Sequence, residues 1–392
     1  MIVNKIQKRI CVTGLGHIGL PVACILATSG YAVLGVDIDD RVVIRVQSAD
    51  FMDPEPNLQD LLIRAIQNGS LEASMNVAPA DIHIIAVPTL LVPGNKPDIS
   101  YVNAAIDAIK PHLRSHDLVL IESTCPIGTT EAIARKLQQA CPGVHVAYCP
   151  ERVLPGNIVH ELIHNDRVVG GVDEASTAHA VTFYQSFVRG EVIATDVRTA
   201  EAVKLAENAY RDVNIAYANE LSMIADHMEL DINELIRLAN RHPRVQILKP
   251  GPGVGGHCIA VDPWFLVAGA PDLAILTLKA REVNTKKTDW VIQKVRQAIR
   301  ENGATVVACL GLAYKSNVSD TGASPALAVV QALEREIEVL CVDPYIPNTV
   351  TLYDALARAE IVVALVAHRA FLNIPSHSLA GKIVLDFAGV FK

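Results

Sequence analysis

The stretch Gly253–Trp264, GVGGHCIAVDPW, sets Cys258 directly behind Gly255, Gly256 and His257, with Asp262 four residues on. A packing cysteine sits within an apolar run, whereas this thiol is presented on a glycine-rich turn. A thiol beside a nicotinamide has one strong use. It adds to an aldehyde, and the thiohemiacetal loses a hydride to become a thioester that water then opens. The glycines leave room for such an adduct, and nearby N–H groups can hold its oxyanion.

A nicotinamide site is also written in the chain. Gly14-Leu15-Gly16-His17-Ile18-Gly19 is G-x-G-x-x-G, between the strand-like run RICVT and a helix-like run. Gly14 permits the tight turn, Gly16 lets the backbone approach a pyrophosphate, and Gly19 lets helix pack on strand. His17 and Ile18 complete the fingerprint. Asp37 ends the next strand-like run, 18 residues after Gly19. A carboxylate at that distance accepts from the ribose 2′-hydroxyl and selects NAD over NADP. Thr89, Thr124 and Glu151 end further apolar runs. Singly they read as turn caps; as a set on one sheet edge they would line the nicotinamide.

A third group lies in EAVKLAENAYRDVNIAYANEL. Lys204, Asn208 and Arg211 follow i, i+4, i+7 spacing and share one helical face. On a face otherwise rich in Ala and Leu, Lys204 is either a base of lowered pKa or a lysine snorkelling to solvent.

The elements that must position these residues alternate strand and helix from the N-terminus. DIHIIAVPT, DLVLIEST and HVAYCPER read as strands, and YVNAAIDAIKPHL and TTEAIARKLQQA as helices, predicting a mostly parallel sheet covered on both faces. A long helix is expected from about Arg198 to Leu230, then INELIRLANR, the glycine-rich turn, and helix again to about Asn302. The last ninety or so residues return to α/β, with TVVACLGLAY, EVLCVDP, AEIVVALVA and KIVLDFAG as strands of a smaller nucleotide-type sheet lacking the glycine fingerprint. The predicted boundaries are 1–196, 197–302 and 303–392.

The 392 residues exceed one hydrophobic core and are 51% hydrophobic and 19% charged, which excludes disorder. A net charge of -8 argues against a nucleic-acid groove and against adhesion to an anionic membrane. The eight cysteines form no C-x-x-C, and no metal-ligand cluster stands out. With no signal-like core and no membrane-length apolar run, a reduced, cytoplasmic setting is expected.

The sequence resembles the UDP-sugar 6-dehydrogenase family over nearly its whole length. The matching stretches are GLGHIGLP, AVPT, EST, AYCPERVLPG, NDRVVGG, ENAYRDVNIAYANELS, LIRLANRHPRVQILKPGPGVGGHCIAVDPWF and SPA. The RHPRV run, and Ala260 where the UDP-N-acetylglucosamine subgroup tends to carry Pro, are most similar to the bacterial and archaeal subgroup acting on UDP-N-acetylmannosamine. The resemblance implies an N-terminal Rossmann-type NAD domain, a central helical dimerisation region and a C-terminal UDP-binding domain. It implies two successive NAD-dependent oxidations at C6 of the sugar, ending in a carboxylate for surface polysaccharide. Cys258 would be the nucleophile and Lys204 an acid/base or oxyanion partner. Asp262 and Glu151 would handle water and protons, and Asn208 and Thr124 the oxyanion and water. Arg152, Val153, Lys204, Asn208, Arg211, His242, Arg244, Gly255 and Lys315 would contact the UDP-sugar, with the Arg244 region reaching the site of a second subunit.

Two positions depart from the pattern. Cys125 replaces the commoner Ser or Val after Thr124, a benign change. Gly322 stands where relatives carry an Arg, so a cofactor-phosphate contact is expected to be missing and Gly322→Arg to tighten NAD. The rival readings are the same reaction on UDP-N-acetylglucosamine or UDP-glucose, a two-electron β-hydroxyacid dehydrogenase, and a non-catalytic NAD-binding protein.

Overall fold

The computed structural model describes residues 8–50, 55–154 and 156–391. The chain divides into two compact units, the second starting at Glu207. In the first unit, β1 (Arg9–Thr13), β2 (Ala32–Val36), β3 (Leu71–Ser74) and β4 (Ile82–Ile85) belong to an eight-stranded sheet. A small hairpin of β5 (Leu90–Val92) and β6 (Lys96–Asp98) interrupts them. The sheet continues through β7 (Leu118–Ile121), β8 (His145–Tyr148), β9 (Arg167–Gly171) and β10 (Val192–Asp196), in the order 10-9-8-7-4-1-2-3. All pairs are parallel except β8 with β9.

The apolar runs are continuous because both faces are covered. Every residue of β4 and β7 is buried. Along β7, Leu118 and Leu120 join a core with Leu20, Val22 and Leu26 of the first helix. Val119 and Ile121 face the opposite core, with Ile106, Ile109 and Ile133. The strand order reverses between β1 and β4, where an open α/β sheet leaves a crevice at its carboxyl edge.

The helix Val197–His227 is continuous across the boundary between the units and carries Lys204 in the first and Asn208 in the second. The second unit adds helices Ile232–Ala239, Asp262–Gly269 and the 28-residue Ile275–Asn302. Residues 240–261 form neither helix nor strand. A four-stranded parallel sheet follows, of β11 (Val306–Leu310), β12 (Glu338–Val342), β13 (Ile361–Ala364) and β14 (Ile383–Asp386), in the order 12-11-13-14.

The two sheets share one backbone device. At the end of β1, Gly14 (φ 94°) donates to Val36 O at 2.8 Å, and Leu15 N donates to Asp37 Oδ2 at 2.8 Å. At the end of β11, Gly311 (φ 94°) donates to Val342 O at 2.8 Å, and Leu312 N donates to Asp343 Oδ2 at 2.8 Å. The second carboxylate is closed off. Asp343 is buried and also accepts from Ala313 N, Tyr345 N and His368 Nε2, the last at 3.1 Å. His368 Nδ1 accepts from Asn317 N at 2.9 Å, which fixes the proton on Nε2.

Burial works against the charge of Asp343, yet the bonds from His368, Leu312 and Tyr345 hold its carboxyl below the ordinary range. Asp343→Ala should destabilise the second unit by about 3 kcal/mol, because buried N–H groups lose their acceptor. Urea unfolding followed by tryptophan emission reads this, since Trp264 and Trp290 both lie in that unit. The folded pKa lies below the unfolded one. The Asp343 contribution is therefore complete above about pH 4 and disappears as the pH falls through the folded value.

Candidate active site

The β1/β4 crevice has the shape a dinucleotide needs. A Cβ on Gly14 would lie 2.5 Å from Ala86 O, and one on Gly19 would lie 1.8 Å from Gly14 O. Gly16 faces open space and is exposed, as is His17; Ile18 is half-buried. The first helix, Gly19–Thr28, starts at the last glycine of the fingerprint, which sets its N-terminus and positive dipole end at this turn. Asp37 is only half-buried, and each of its oxygens accepts a backbone N–H, from Leu15 and from Asp39. A carboxylate oxygen has a second lone pair, so a ribose hydroxyl fits. These residues suit a nicotinamide dinucleotide.

Thr89 and Thr124, both half-buried, follow β4 and β7. Ser123 Oγ donates to Val87 O at 2.8 Å and ties the two strand ends together. Glu151 follows β8 and accepts from Val153 N. Lys204 Nζ lies 3.4 Å from Glu151 Oε2, and both side chains are less than a tenth exposed. Lys204 is thus a buried, carboxylate-paired lysine and does not snorkel to solvent. Arg152 donates through Nη2 to Asp166 O at 2.8 Å. Cys125 is fully buried in the core, and burial pushes its thiol up, so it packs. Glu122, which sequence reasoning passed over, is also buried. Tyr184 Oη donates to it at 2.6 Å, and burial raises its pKa against the nearby Arg167.

In the second unit Cys258 is exposed, as its glycine-rich surroundings predict. Its carbonyl accepts from Val261 N and Asp262 N, at 3.0 and 2.8 Å, and this turn starts the helix Asp262–Gly269. Asp262 is buried in the first turn of that helix, and its Oδ2 accepts from Asn208 Nδ2 at 2.6 Å. Lys315 is half-buried, and burial lowers its pKa; Cys258 and Asp320 oppose that shift, and Arg211 adds to it. The thiol therefore shares its surroundings with the Lys315 ammonium. Burial raises Tyr314 to about 12, with Asp320 and Cys258 acting in the same direction.

The glycines before Cys258 are there for close approach. A Cβ on Gly255 would meet Ala323 O at 2.3 Å. Gly256 has φ 84°, and a Cβ there would meet the Tyr314 ring at 2.7 Å. Gly322 belongs to the same contact. Its carbonyl accepts from Gly256 N at 3.1 Å, and its own N–H donates to Asp320 Oδ1 at 2.7 Å. His257 Nε2 lies 3.4 Å from Asp320 Oδ2, and a Cβ on Gly322 would come within 2.6 Å of that nitrogen. His242 and Arg244 are exposed beyond the helix Ile232–Ala239, where Arg244 N donates to His242 Nδ1 at 3.4 Å; neither side chain joins the Cys258 group.

A dinucleotide crevice, a buried Lys–Glu pair and a presented thiol with an Asp–Asn pair at its turn are the equipment of an NAD-dependent dehydrogenase. The chain belongs to the UDP-glucose/GDP-mannose dehydrogenase family: its NAD binding domain matches residues 8–188, its central domain 198–286 and its UDP binding domain 308–392. The chain is 45% identical to an NDP-N-acetyl-D-galactosaminuronic acid dehydrogenase of Ralstonia nicotianae, covering 98% of this chain and 96% of that one. It is also 45% identical to a UDP-N-acetyl-D-mannosamine dehydrogenase of Methanocaldococcus jannaschii, covering 98% and 92%. Among solved structures, a UDP-D-ManNAc dehydrogenase from Pyrococcus horikoshii superposes with a TM-score of 0.93 at 37% identity, covering 98% and 96%. Among the described residues, no helix is long and apolar enough to cross a membrane.

The contact at Gly322 changes what an arginine there would do. Gly322→Arg must first displace the His257 ring beside Cys258. It should lower kcat about fivefold, for roughly 1 kcal/mol of rearrangement, whatever it does to the KM for NAD. Steady-state kinetics separate the two effects. A lower KM for NAD at unchanged kcat would restore the simpler account of a missing phosphate contact.

Proposed function

We propose that this protein oxidises C6 of UDP-N-acetylmannosamine from alcohol to carboxylate, with Cys258 carrying the sugar as a thioester. The observation that carries the reading is the exposed thiol on its glycine-rich turn, with the Asp262–Asn208 pair at that turn. The Gly14–Gly19 turn and Asp37 would hold NAD along the β1/β4 crevice, and NAD would supply the hydride acceptor in each of two rounds. In the first round the C6 hydroxyl gives up its proton to the buried Lys204–Glu151 pair as the hydride leaves. Cys258 Sγ then adds to the aldehyde carbon, and the oxyanion takes a proton to give the thiohemiacetal. Loss of the second hydride from C6, with the thiohemiacetal hydroxyl proton passing to the Lys204–Glu151 pair, leaves the thioester. Water, drawn by Asp262 and Glu151, adds to it; the C–S bond breaks, and Cys258 regains its thiol. Asn208 and Thr124 hold the charged oxygen and the water. Arg152, Val153, Arg211, Gly255 and Lys315 hold the nucleotide sugar.

The sugar assignment rests on the RHPRV run and Ala260, together with relatives named for UDP-N-acetylmannosamine. The gluco isomer redirects the polar group at C2 and the galacto isomer those at C2 and C4, and each buried group left unpaired costs about 1–3 kcal/mol. The relative named for N-acetylgalactosaminuronate makes the galacto isomer the second reading.

We infer that two chains pair through the long helix. Tyr210, Tyr217 and Ile224, spaced seven apart, are 72%, 54% and 45% exposed. Such an apolar stripe along one helical face fits a second helix. His242 and Arg244 would serve the partner's site.

Purified protein should yield two NADH per UDP-N-acetylmannosamine and prefer it over the gluco and galacto isomers and over UDP-glucose. Cys258→Ser should bind substrate and NAD but form no acid, since a serine hydroxyl is a poor nucleophile at neutral pH. One NADH per sugar, or acid from the serine variant, would remove the thioester route. Equal kcat/KM among the N-acetyl isomers would remove the sugar assignment alone. Tyr217→Glu should convert the dimer to a monomer by light scattering, and a wild-type monomer would refute the pairing.

A further inference from the structure

The Cys258 loop hangs from a chain of buried side chains that the chemistry above does not use. Along the helix Val197–His227, Asp212 and Asn219 lie seven residues apart; along Ile275–Asn302, Arg281, Asn284 and Thr288 share a facing stripe. Asp212, Asn219 and Asn284 are at most 1% exposed, and Arg281 is 6% exposed. Arg281 Nη1 donates to Asp212 Oδ1 at 2.7 Å. Asn284 Nδ2 donates to the same oxygen at 2.7 Å and to Asp212 O at 3.2 Å. Asn219 Nδ2 donates to Asn284 Oδ1 at 2.9 Å, and Asn219 Oδ1 accepts from Gly251 N at 2.9 Å. One residue on, Thr288 Oγ1 donates to Pro252 O at 2.9 Å.

The chain has a direction. An ionised Asp212 can only accept, so Asn284 must turn its NH₂ toward it and its carbonyl oxygen away. Asn219 must then present its NH₂ to Asn284, which leaves its own oxygen facing Gly251. Flipping either amide would set oxygen against oxygen or N–H against N–H in a buried space. The loop needs this hold because it has no ladder of its own, and a cavity of about 540 Å³ lies beside it, lined by Val254, Asn284, Thr288, Thr321 and Ser324 among others.

We propose that Asn219, Asn284 and Thr288 are positioning residues that set the Cys258 turn, with Asp212 fixing the sense of the amide chain. For its kinetic consequence the proposal rests on the thioester reading; its structural consequence is measured without turnover. Two near-isosteric changes cut the chain at different points. Asn219→Leu removes the acceptor of Gly251 N–H, and Thr288→Val removes the donor to Pro252 O. Thr288→Ser keeps that donor.

Hydrogen exchange of the full-length protein should show faster exchange, at least tenfold, in the 251–258 segment of both cut variants, with the two long helices unchanged and Thr288→Ser near wild type. With NAD and UDP-N-acetylmannosamine, kcat should fall about ten- to a hundredfold, as for a misplaced reacting group, while both KM values stay within about twofold. Thr288→Ser should recover most of kcat. If Asn219→Leu does not fold, the Thr288 pair still decides the matter. Exchange in 251–258 that stays at wild-type rates, or that rises equally across both helices, would overturn the proposal, as would a kcat unaffected by Thr288→Val in an enzyme that makes acid. A wild-type chain that oxidises no UDP-sugar would undo the thioester reading, while the exchange result would still stand or fall independently.

Discussion

Residues 240–261 carry the exposed thiol of Cys258 on backbone that pairs with no strand and winds into no helix. Such a stretch has no ladder to fix it, so its position is set by what touches it. Here those contacts are made at distances only glycine allows: Gly253 against Thr288, Gly255 against Ala323 and Gly256 against Tyr314. Side chains would lift the turn from its support. The long helices, the amide chain between them and the 314–325 segment form the frame that makes an irregular loop a defined one.

That frame is costly in solvation. Asp212 and Arg281 form a buried ion pair, and burial raises the Asp212 pKa while Arg281 opposes the rise. Lys287, on the same helix, is 2% exposed; burial lowers it to about 7, and its Nζ donates to Ser222 Oγ at 2.7 Å. Buried charges seldom stabilise more than apolar residues of the same size, but they discriminate between registers, because a slip strands each of them. Two helices of 31 and 28 residues have many near-equivalent ways to pack, and polar cross-links single out one.

Much of this was legible in the chain. Strands buried on both faces announce themselves as short apolar runs, so β1, β2, β4, β7, β8 and the four C-terminal strands fall where the runs do. The glycine fingerprint and Asp37 were legible because their spacing is fixed by a single strand–turn–helix–strand unit. The hairpin of β5 and β6 was not, since Leu90–Val92 is too short to show a period. The antiparallel turn of β9 was not either, because direction leaves no mark on composition. Lys204 could be read two ways until its partner Glu151, 53 residues away, was placed. Asn219 and Asn284 were invisible for the same reason: an asparagine in a helix shows nothing of the amide it will meet. Gly322 looked like a lost arginine, and its contact with His257 depends on a fold that brings two distant turns together.

The repeated device at Gly14–Asp37 and Gly311–Asp343 has a consequence for ligand traffic within one chain. Two cradles of nearly the same backbone geometry would compete for the same coenzyme if both were open. They differ in a stopper. His368 and the Ala313 amide take up acceptor capacity of Asp343 that Asp37 leaves to solvent, the Tyr345 and Asp39 amides being common to both. The second sheet, in the part of the chain that matches the family's UDP binding domain, therefore lacks the open carboxylate that Asp37 offers to a ribose hydroxyl.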